Sequence, residues 1–449
     1  MNQQSSEHSQ NNTNESTSIS RRNFVTAAAA TSVGVAAIGP ALFNQTTSTA
    51  VAGNAYQAGS DIIRVGLVGC GGRGTGAATQ ALNADPGVHL VAMADAFADH
   101  LQASLARLKQ HSPDRVTVSD ETAFVGFDAY KQLIASDVHV VLFATPPVFR
   151  PMHIRAAIEA GKHVFCEKPM GVDAPGVRSV IETALLAKQK HLSLVSGFCW
   201  RYATQMRDTF EQLHNRAIGQ IRSVQCTYNT GPLGDVARQP EWSDMEWQLR
   251  NWKAFNYLSG EHIVEQAVHA IDWINWAYQA PPIKAYAVGG RIARSGKWTG
   301  NMFDHFGVFY EFEDGNRAYH MCRQIANCSN DNTGYLIGEK GSCTINPWTP
   351  VCVIEGENPW RWKGRKNDMY QQEHNELFDS IRSGNPMNDG EWMARTTLMG
   401  IMGREAAYTG KTITWDEMLN SKKSYTPKHW EWSETPFPPV PVPGQTQFS

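Results

Sequence analysis

A glycine-rich loop at Gly69–Gly74 is the first segment whose residue types suggest chemistry. It follows an apolar run and opens a helical one, so backbone N–H groups at a helix N-terminus can meet a pyrophosphate. Asp95 ends the next apolar run, 21 residues after Gly74, where a carboxylate accepts hydrogen bonds from a ribose and repels a 2′-phosphate. These features predict an NAD site rather than an NADP site; the alternative is a glycine turn beside an unrelated acid. The loop residues assigned to this site are Gly69, Gly71, Gly72, Arg73 and Gly74.

Two further apolar runs end in residues that could contact the same cofactor. One continues into Thr145-Pro146 and the other into Glu167-Lys168 followed by Pro169. The carboxyl ends of parallel strands share one edge of a sheet, and ligands bind at that edge. We therefore expect all four of these side chains at the cofactor, with Lys168 on its nicotinamide side. The alternative is a surface lysine in a Glu-Lys-Pro turn.

A histidine between two acidic residues comes later in the chain. If Glu265 to Ala277 forms one helix, then Glu265, His269 and Asp272 lie at i, i+4 and i+7 and share a face. Flanking carboxylates would hold one tautomer of the imidazole, which could then accept a proton near neutral pH. A purely structural histidine is the alternative that these residues leave open.

Three loops combine polar and aromatic residues in a way that suits a sugar. Arg, Asp and His side chains hydrogen-bond hydroxyl groups, and Trp and Tyr rings offer flat apolar faces. The alternative is ordinary packing with exposed charges. The residues predicted to contact substrate are Arg201, Tyr202, Arg250, Trp252, Asp304 and His305. His374 is expected to orient a helix, and Arg404 with Glu405 to form a structural charged pair.

The elements that must position these residues follow two patterns. From Ile62 to Ser196, apolar runs alternate with helical segments, which predicts a doubly wound parallel sheet, the Rossmann arrangement. All fourteen Trp residues lie at or after position 200, so we place a domain boundary near 195. Beyond it, segments such as Ile221–Tyr228 and Arg317–Cys322, with a turn at Glu313–Gly315, predict an open, mainly antiparallel sheet. The predicted fold class is α/β.

The N-terminal segment has the features of a bacterial twin-arginine export signal. Ser20–Phe24 contains paired arginines and precedes a weakly apolar stretch, Val25–Phe43, and a small-x-small pattern at Ala50–Ala52. The alternative is a disordered leader followed by an ordinary helix. The predicted organisation is a signal at 1–52, an NAD-binding domain at 61–195, a substrate and oligomerisation domain at 196–420, and a Pro- and aromatic-rich tail at 421–449.

The composition excludes other classes of protein. Among 449 residues, 40 Lys+Arg oppose 43 Asp+Glu, for a net charge of -3, and no basic block could neutralise a nucleic-acid backbone. The one long weakly polar stretch is interrupted by Gly, Pro and Thr, which excludes a polytopic membrane protein. No Cys/His spacing matches a metal site, so we predict no metal. Disulfides are left open, with Cys322/Cys328 and Cys343/Cys352 the nearest pairs.

The chain resembles the Gfo/Idh/MocA oxidoreductases over about residues 61–420. The resemblance rests on the loop Gly69–Gly74, on Asp95, on Ala144–Pro147 and above all on Ala160–Pro169. It implies a C-terminal α/β domain whose open sheet often forms an oligomer interface, and hence a homo-oligomer. It also implies that Lys168 and His269 flank the carbon that exchanges hydride, with Glu265 standing where the family commonly has Asp.

We therefore predict an exported NAD-dependent oxidoreductase that acts on a sugar or polyol. Its partners would be that small molecule and the twin-arginine machinery, with no nucleic acid and no membrane span after cleavage. Because no NAD pool exists outside the cytoplasm, the cofactor would be retained and recycled in a redox-neutral reaction. One alternative is an NAD-dependent glycoside hydrolase that oxidises C3 transiently and eliminates, with Tyr202 or His305 as an additional base. Another is a non-catalytic sugar-binding protein that contains NAD.

Overall fold

A computed structural model describes residues 61–349 and 351–448. The predicted export signal, residues 1–52, lies outside the described residues. Two sheets organise the described chain, and the first is a six-stranded parallel sheet in the order β3-β2-β1-β4-β5-β6. Its strands are β1 (Ile63–Val68), β2 (Val88–Asp95), β3 (Ala123–Val125), β4 (Val140–Phe143), β5 (His163–Cys166) and β6 (Leu194–Ser196).

Helices cover both faces of this sheet, which explains why its central strands are mainly apolar. Leu67 of β1 packs in one apolar cluster with Leu101, whereas Val141 of β4 packs in another with Ile154 and Val177. The helices are α1 (Gly72–Ala84), α2 (Ala98–His111), α3 (Ala129–Ala135), α4 (Arg150–Glu159) and α5 (Ala174–Gln189). The predicted doubly wound arrangement is confirmed.

The second sheet has nine strands in the order β14-β13-β12-β11-β7-β10-β9-β8-β15. All its pairings are antiparallel except that of β7 with β10, so the predicted α/β class with a mainly antiparallel second sheet is confirmed. The expected turn at Glu313–Gly315 joins β9 to β10. The strands are β7 (Ile221–Thr230), β8 (Lys284–Gly290), β9 (His305–Glu311), β10 (Arg317–Gln324), β11 (Gly334–Gly338), β12 (Gly341–Ile345), β13 (Cys352–Gly356), β14 (Trp360–Arg361) and β15 (Ile413–Thr414).

Helices pack on one face of this sheet, and the other face is open. Residues that alternate along β9, such as Phe306 and Val308, are buried, whereas Val288 of β8 and Tyr319 of β10 are exposed. The remaining helices are α6 (Thr204–His214), α7 (Asp244–Arg250), α8 (Asn256–Ser259), α9 (His262–Glu265), α10 (Val268–Tyr278), α11 (Met369–Ser383), α12 (Gly390–Thr409) and α13 (Trp415–Asn420). None of the described helices is both long and apolar enough to cross a membrane.

Helix α11 returns to the first sheet from the far end of the chain. Its residues Leu377, Phe378 and Ile381 belong to the same apolar cluster as residues of α1, and Arg382 forms an ion pair with Asp85 at 2.8 Å. The first sheet is therefore completed by residues nearly 300 positions downstream of α1. The domain boundaries placed at 195 and 420 stay predictions.

Residues 421–448, which we call the C-terminal strap, form neither helix nor strand over the part that the structure describes. The strap lies against both halves of the molecule. All eight cysteines have free thiols, and seven of them are buried.

Candidate active site

The glycine loop folds so that its backbone faces open space. Gly69 has φ +93°, and a Cβ on Gly74 would lie 1.8 Å from the Gly69 carbonyl oxygen, so both positions require glycine. A Cβ on Gly71 or Gly72 would meet no atom within 4 Å among the described residues. Gly71 is the N-cap of α1 and offers no side chain to its first N–H groups. The loop therefore has room and free donors for a pyrophosphate.

Asp95 holds the glycine loop and lines the adjacent cleft. Its carboxylate accepts hydrogen bonds from the Cys70 N–H at 2.6 Å and the Phe97 N–H at 2.9 Å. Burial raises the pKa of Asp95, and these two bonds oppose the rise. Each carboxylate oxygen keeps a further acceptor site, which a ribose hydroxyl could use. Asp95 thus takes the position that the sequence predicted for it.

A cleft of about 800 Å³, part of it open to solvent, extends from this loop. Thr145 and Pro146 line it, as expected. Arg250 and Trp252 line the same cleft, although they were predicted to contact substrate. Arg250 pairs with Asp99 at 3.0 Å and lies 4.0 Å from the Phe97 ring centre. Both residues therefore lie in the same cleft as Asp95 and Phe97, and their contact with substrate stays a prediction.

Lys168 meets Glu265 at the edge of the parallel sheet. The ammonium donates to the Glu265 backbone carbonyl and lies 3.5 Å from its carboxylate. Burial alone would raise the pKa of Glu265, but Lys168, then Lys253 and Arg150, lower it below its usual value. The lysine of the Glu-Lys-Pro turn is thus a half-buried, ion-paired group and not a free surface charge.

Arg150 fixes the two strand ends that carry this site. Its guanidinium is buried and donates to the carbonyls of Thr145, at 2.9 Å, and Pro169, at 2.8 Å. The adjacent Glu167 forms an ion pair with Arg73 at 3.0 Å. Sequence reasoning missed Arg150, because nothing in its spacing shows that it joins β4 to β5.

His269 is buried beside Trp200, with 4.9 Å between the ring centres. Its Nδ1 has no hydrogen-bond partner among the described residues. Burial lowers the pKa of His269 well below its usual value, and the nearby Lys168 lowers it further. The imidazole is therefore neutral near pH 7 and can accept a proton.

The single helix predicted from Glu265 to Ala277 is wrong. Helix α9 ends at Glu265 and α10 begins at Val268. In a continuous helix the Glu265 carbonyl would accept the His269 N–H, but here it accepts from Lys168, and the His269 N–H turns to Gln266 at 3.3 Å. A tertiary hydrogen bond thus replaces a helical one.

Asp272 does not flank His269, because it pairs with Arg201. Arg201 donates two hydrogen bonds to the Asp272 carboxylate, at 2.7 and 3.0 Å, and lies over the rings of Trp276 and Trp392. Tyr202 is buried and donates to Asp389 at 2.9 Å. The structure places Arg201 and Tyr202 in the packing beside the site, where these partners occupy their polar groups.

Asp304 is also buried, and it organises a loop instead of facing solvent. Its carboxylate accepts from three successive backbone N–H groups, Ile292 to Arg294, and from His305 at 2.8 Å. This loop carries Arg294 to Gln324, which in turn donates to Gln266 at 2.6 Å. Arg294, Gln324 and Gln266 form a polar chain beside Glu265 that sequence reasoning missed, because its members come from three separate elements.

Two further expectations concern helices α11 and α12. His374 is fully buried against the Phe165 ring at 4.3 Å, and Arg404 pairs with Glu405 at 2.8 Å in the interior. Both placements agree with structural roles.

Among the described residues, no cluster of three or more His, Cys, Asp or Glu side chains could hold a metal ion.

Comparisons with known proteins match this geometry. Residues 63–198 match the Gfo/Idh/MocA model described as an oxidoreductase family with an NAD-binding Rossmann fold, and residues 206–344 match its C-terminal domain. The inositol 2-dehydrogenase of Gluconacetobacter diazotrophicus is 25% identical over 339 residues, which are 73% of this chain and 88% of that protein.

Solved structures share the fold. The aldose-aldose oxidoreductase of Caulobacter crescentus, complexed with glycerol, is 18% identical and has a TM-score of 0.62, covering 79% of this chain and 99% of that one. GenD2 from gentamicin A biosynthesis, in complex with NAD, is 20% identical and has a TM-score of 0.60, covering 81% of this chain and 99% of that one.

Proposed function

The chain belongs to the Gfo/Idh/MocA oxidoreductase family, and on that premise we propose that it oxidises a hydroxyl-bearing carbon of a sugar or polyol. The oxidoreductase class and NAD as cofactor agree with the sequence prediction. The observation that carries the proposal is the placement of Lys168 and the neutral His269 beside the carboxyl edge of the NAD-binding sheet. The names of its inositol 2-dehydrogenase and aldose-aldose oxidoreductase relatives support a polyhydroxylated substrate.

Each residue has a distinct part in this reaction. NAD supplies the hydride acceptor. His269 is uncharged at neutral pH and removes the hydroxyl proton. Lys168 donates a hydrogen bond to the same oxygen and stabilises its developing negative charge. Glu265 holds the lysine in place through its carbonyl and carboxylate.

Hydride transfer without elimination is the reaction that we favour. Elimination from a C3-oxidised glycoside needs another base, for which Tyr202 and His305 are the candidates. The Tyr202 hydroxyl already donates to Asp389, and His305 is bonded to Asp304. A sugar-binding protein without activity would have no use for a desolvated histidine beside a half-buried lysine.

Single substitutions test the assignment. In Lys168→Ala and His269→Ala, NAD should stay bound while hydride transfer falls by about 10²–10⁴, the usual effect of a positioned acid–base group. His214→Ala is the control, since this exposed histidine also lies in the second half and is assigned no contact with substrate or cofactor. Absorbance at 340 nm after addition of sugars reports the reaction. Near-normal rates in either alanine variant would move the chemistry elsewhere.

We also propose that the protein is exported and works in the periplasm or outside the cell with its cofactor retained. The support is the paired-arginine leader, together with the lack of an NAD pool outside the cytoplasm, which favours oxidising one sugar while reducing another. Changing Arg21 and Arg22 to Lys should leave the precursor in the cytoplasm. Protein from its native compartment should contain close to one NAD(H) per chain, measured by mass spectrometry after denaturation. Unchanged secretion, or an empty yet active protein, would contradict this proposal.

A further inference from the structure

The C-terminal strap begins at a group of buried charges. The Tyr425 N–H donates to Asp173 at 2.7 Å, and the Tyr425 hydroxyl donates to Glu405 at 2.9 Å. Lys423 pairs with Glu405 at 3.0 Å, and the Arg404 guanidinium lies 4.6 Å from the Tyr425 ring centre. Because Arg404 and Glu405 are fully buried, this end of the strap is fixed to the interior of the molecule.

The strap is fixed a second time a few residues further on. The Ser433 carbonyl accepts the Met245 N–H at 3.1 Å, and the Thr435 carbonyl accepts the Gln248 side chain at 2.6 Å. The Phe437 ring then packs 4.9 Å from that of Phe255. The segment between Tyr425 and Ser433 is thus held at both ends.

Two tryptophans in this held segment contact the aromatic wall of the cofactor cleft. Trp432 lies 4.5 Å from the ring centre of Phe127 and 5.3 Å from that of Phe97. Trp430 lies 4.2 Å from Phe149 and 5.9 Å from Phe127. All three phenylalanines line the cleft together with Asp95. The two indoles are therefore in contact with every phenylalanine at the adenosine end of the cleft.

We propose that Trp430 and Trp432 are cofactor-retaining residues, which stabilise the aromatic wall at the adenosine end of the cleft, beside Asp95, and thereby slow the release of NAD. The indoles are not among the residues that line the cleft; they pack on the phenylalanines that do. Because the strap is bonded on both sides of them, they hold this wall in place against a bound adenosine. The proposal deepens the proposed function and rests on it, since it concerns the same NAD site.

The test measures release of NAD and does not depend on turnover. Holoenzyme is diluted into excess ADP-ribose as competitor, and the NAD that stays with the protein is measured over time by mass spectrometry of the denatured supernatant. Loss of the four aromatic contacts in Trp430→Ala/Trp432→Ala should accelerate release about 10- to 100-fold. Phe448→Ala is the matched control, because it removes an aromatic residue of the same strap that packs on the core beyond both attachment points. Its release rate should equal that of the wild type.

A milder variant keeps the test decisive if the double variant folds poorly. Trp432 is 44% exposed, so Trp432→Leu should fold and should accelerate release about threefold to tenfold. Release at the wild-type rate in Trp432→Leu would overturn the proposal, as would equal acceleration in Phe448→Ala. Slower release or tighter NAD binding would overturn it too, since the indole would then occupy space that adenine needs. A wild-type chain that binds no NAD would refute the proposed function itself.

Discussion

Replacing Arg201 by an uncharged residue tests whether its side chain stabilises the fold or binds substrate. Sequence reasoning assigned Arg201 to the substrate, but the structure pairs it with Asp272 through two hydrogen bonds and places it between two indole rings. In Arg201→Met the Asp272 carboxylate would stay buried with only the Thr396 hydroxyl, at 2.7 Å, as a donor. Breaking one side of such a buried pair costs about 3–5 kcal/mol.

This free energy converts into a measurable shift in melting temperature. An unfolding entropy of about 2.1 cal/mol/K per residue over the roughly 390 residues that the structure describes corresponds to about 1.2 °C per kcal/mol, so we expect a fall in Tm of about 4–6 °C. KM for the sugar, measured well below Tm, should change by less than about threefold. The double variant Arg201→Met/Asp272→Leu should regain most of the lost stability, because replacing both charges by apolar groups is close to neutral.

Scanning calorimetry and steady-state kinetics on the same preparations decide the matter. An unchanged Tm with a large rise in KM would refute the reasoning, since Arg201 would then contact substrate. Additive losses in the double variant would show that the two residues do not stabilise each other.

Four further outcomes are expected. Asp95→Ser should weaken NAD binding about 10- to 100-fold and narrow its advantage over NADP, as measured by calorimetric titration; tighter NADP binding by the wild type would contradict this. Gly74→Ala should destabilise the fold by about 1–3 kcal/mol and weaken NAD binding, because its Cβ would displace the loop; normal values for both would be inconsistent with the loop geometry. If a homo-oligomer forms through the open face of the second sheet, Val288→Glu or Tyr319→Glu should dissociate it, as measured by light scattering. A monomeric wild type would refute this expectation. Burial lowers the pKa of several histidines to about 3–4 in the folded protein, so between about pH 6.5 and 4 only the unfolded chain takes up protons at them. The free energy of unfolding should therefore fall as pH drops below about 6.5, by up to about 1.4 kcal/mol per pH unit for each histidine. Urea unfolding that does not change between pH 7 and 5 would contradict this. These histidines are His153, His262, His320 and His374.

Local signals were enough for the elements of the first half. Largely apolar runs predicted the central strands β1, β4 and β5, because strands covered on both faces have few polar positions. The glycine loop and Asp95 could also be recognised from the sequence, because their expected roles depend on backbone geometry within one βαβ unit. Short edge strands such as β14 were missed, because two residues carry no periodicity.

The sequence could not predict which side chains pair when the two residues lie far apart along the chain. Arg201 and Asp272 are 71 positions apart, and Lys168 and Glu265 are 97 apart. A charged residue in a loop looks the same whether it faces a sugar or a buried counter-charge. The helix break after Glu265 was also missed, because the helical periodicity of the sequence continues through it without interruption.

The return of α11 to the first sheet has a consequence for the order of folding. Leu377, Phe378 and Ile381 complete an apolar cluster whose other members come mainly from residues 63–142. While the chain is being synthesised, that face of the NAD-binding half stays uncovered until residues near 383 have emerged. We expect a fragment ending near residue 200 to bind the hydrophobic dye ANS and the full chain to unfold in one cooperative transition. The two halves are consecutive in sequence, yet we expect the first half to become stable only when almost the whole chain has been made.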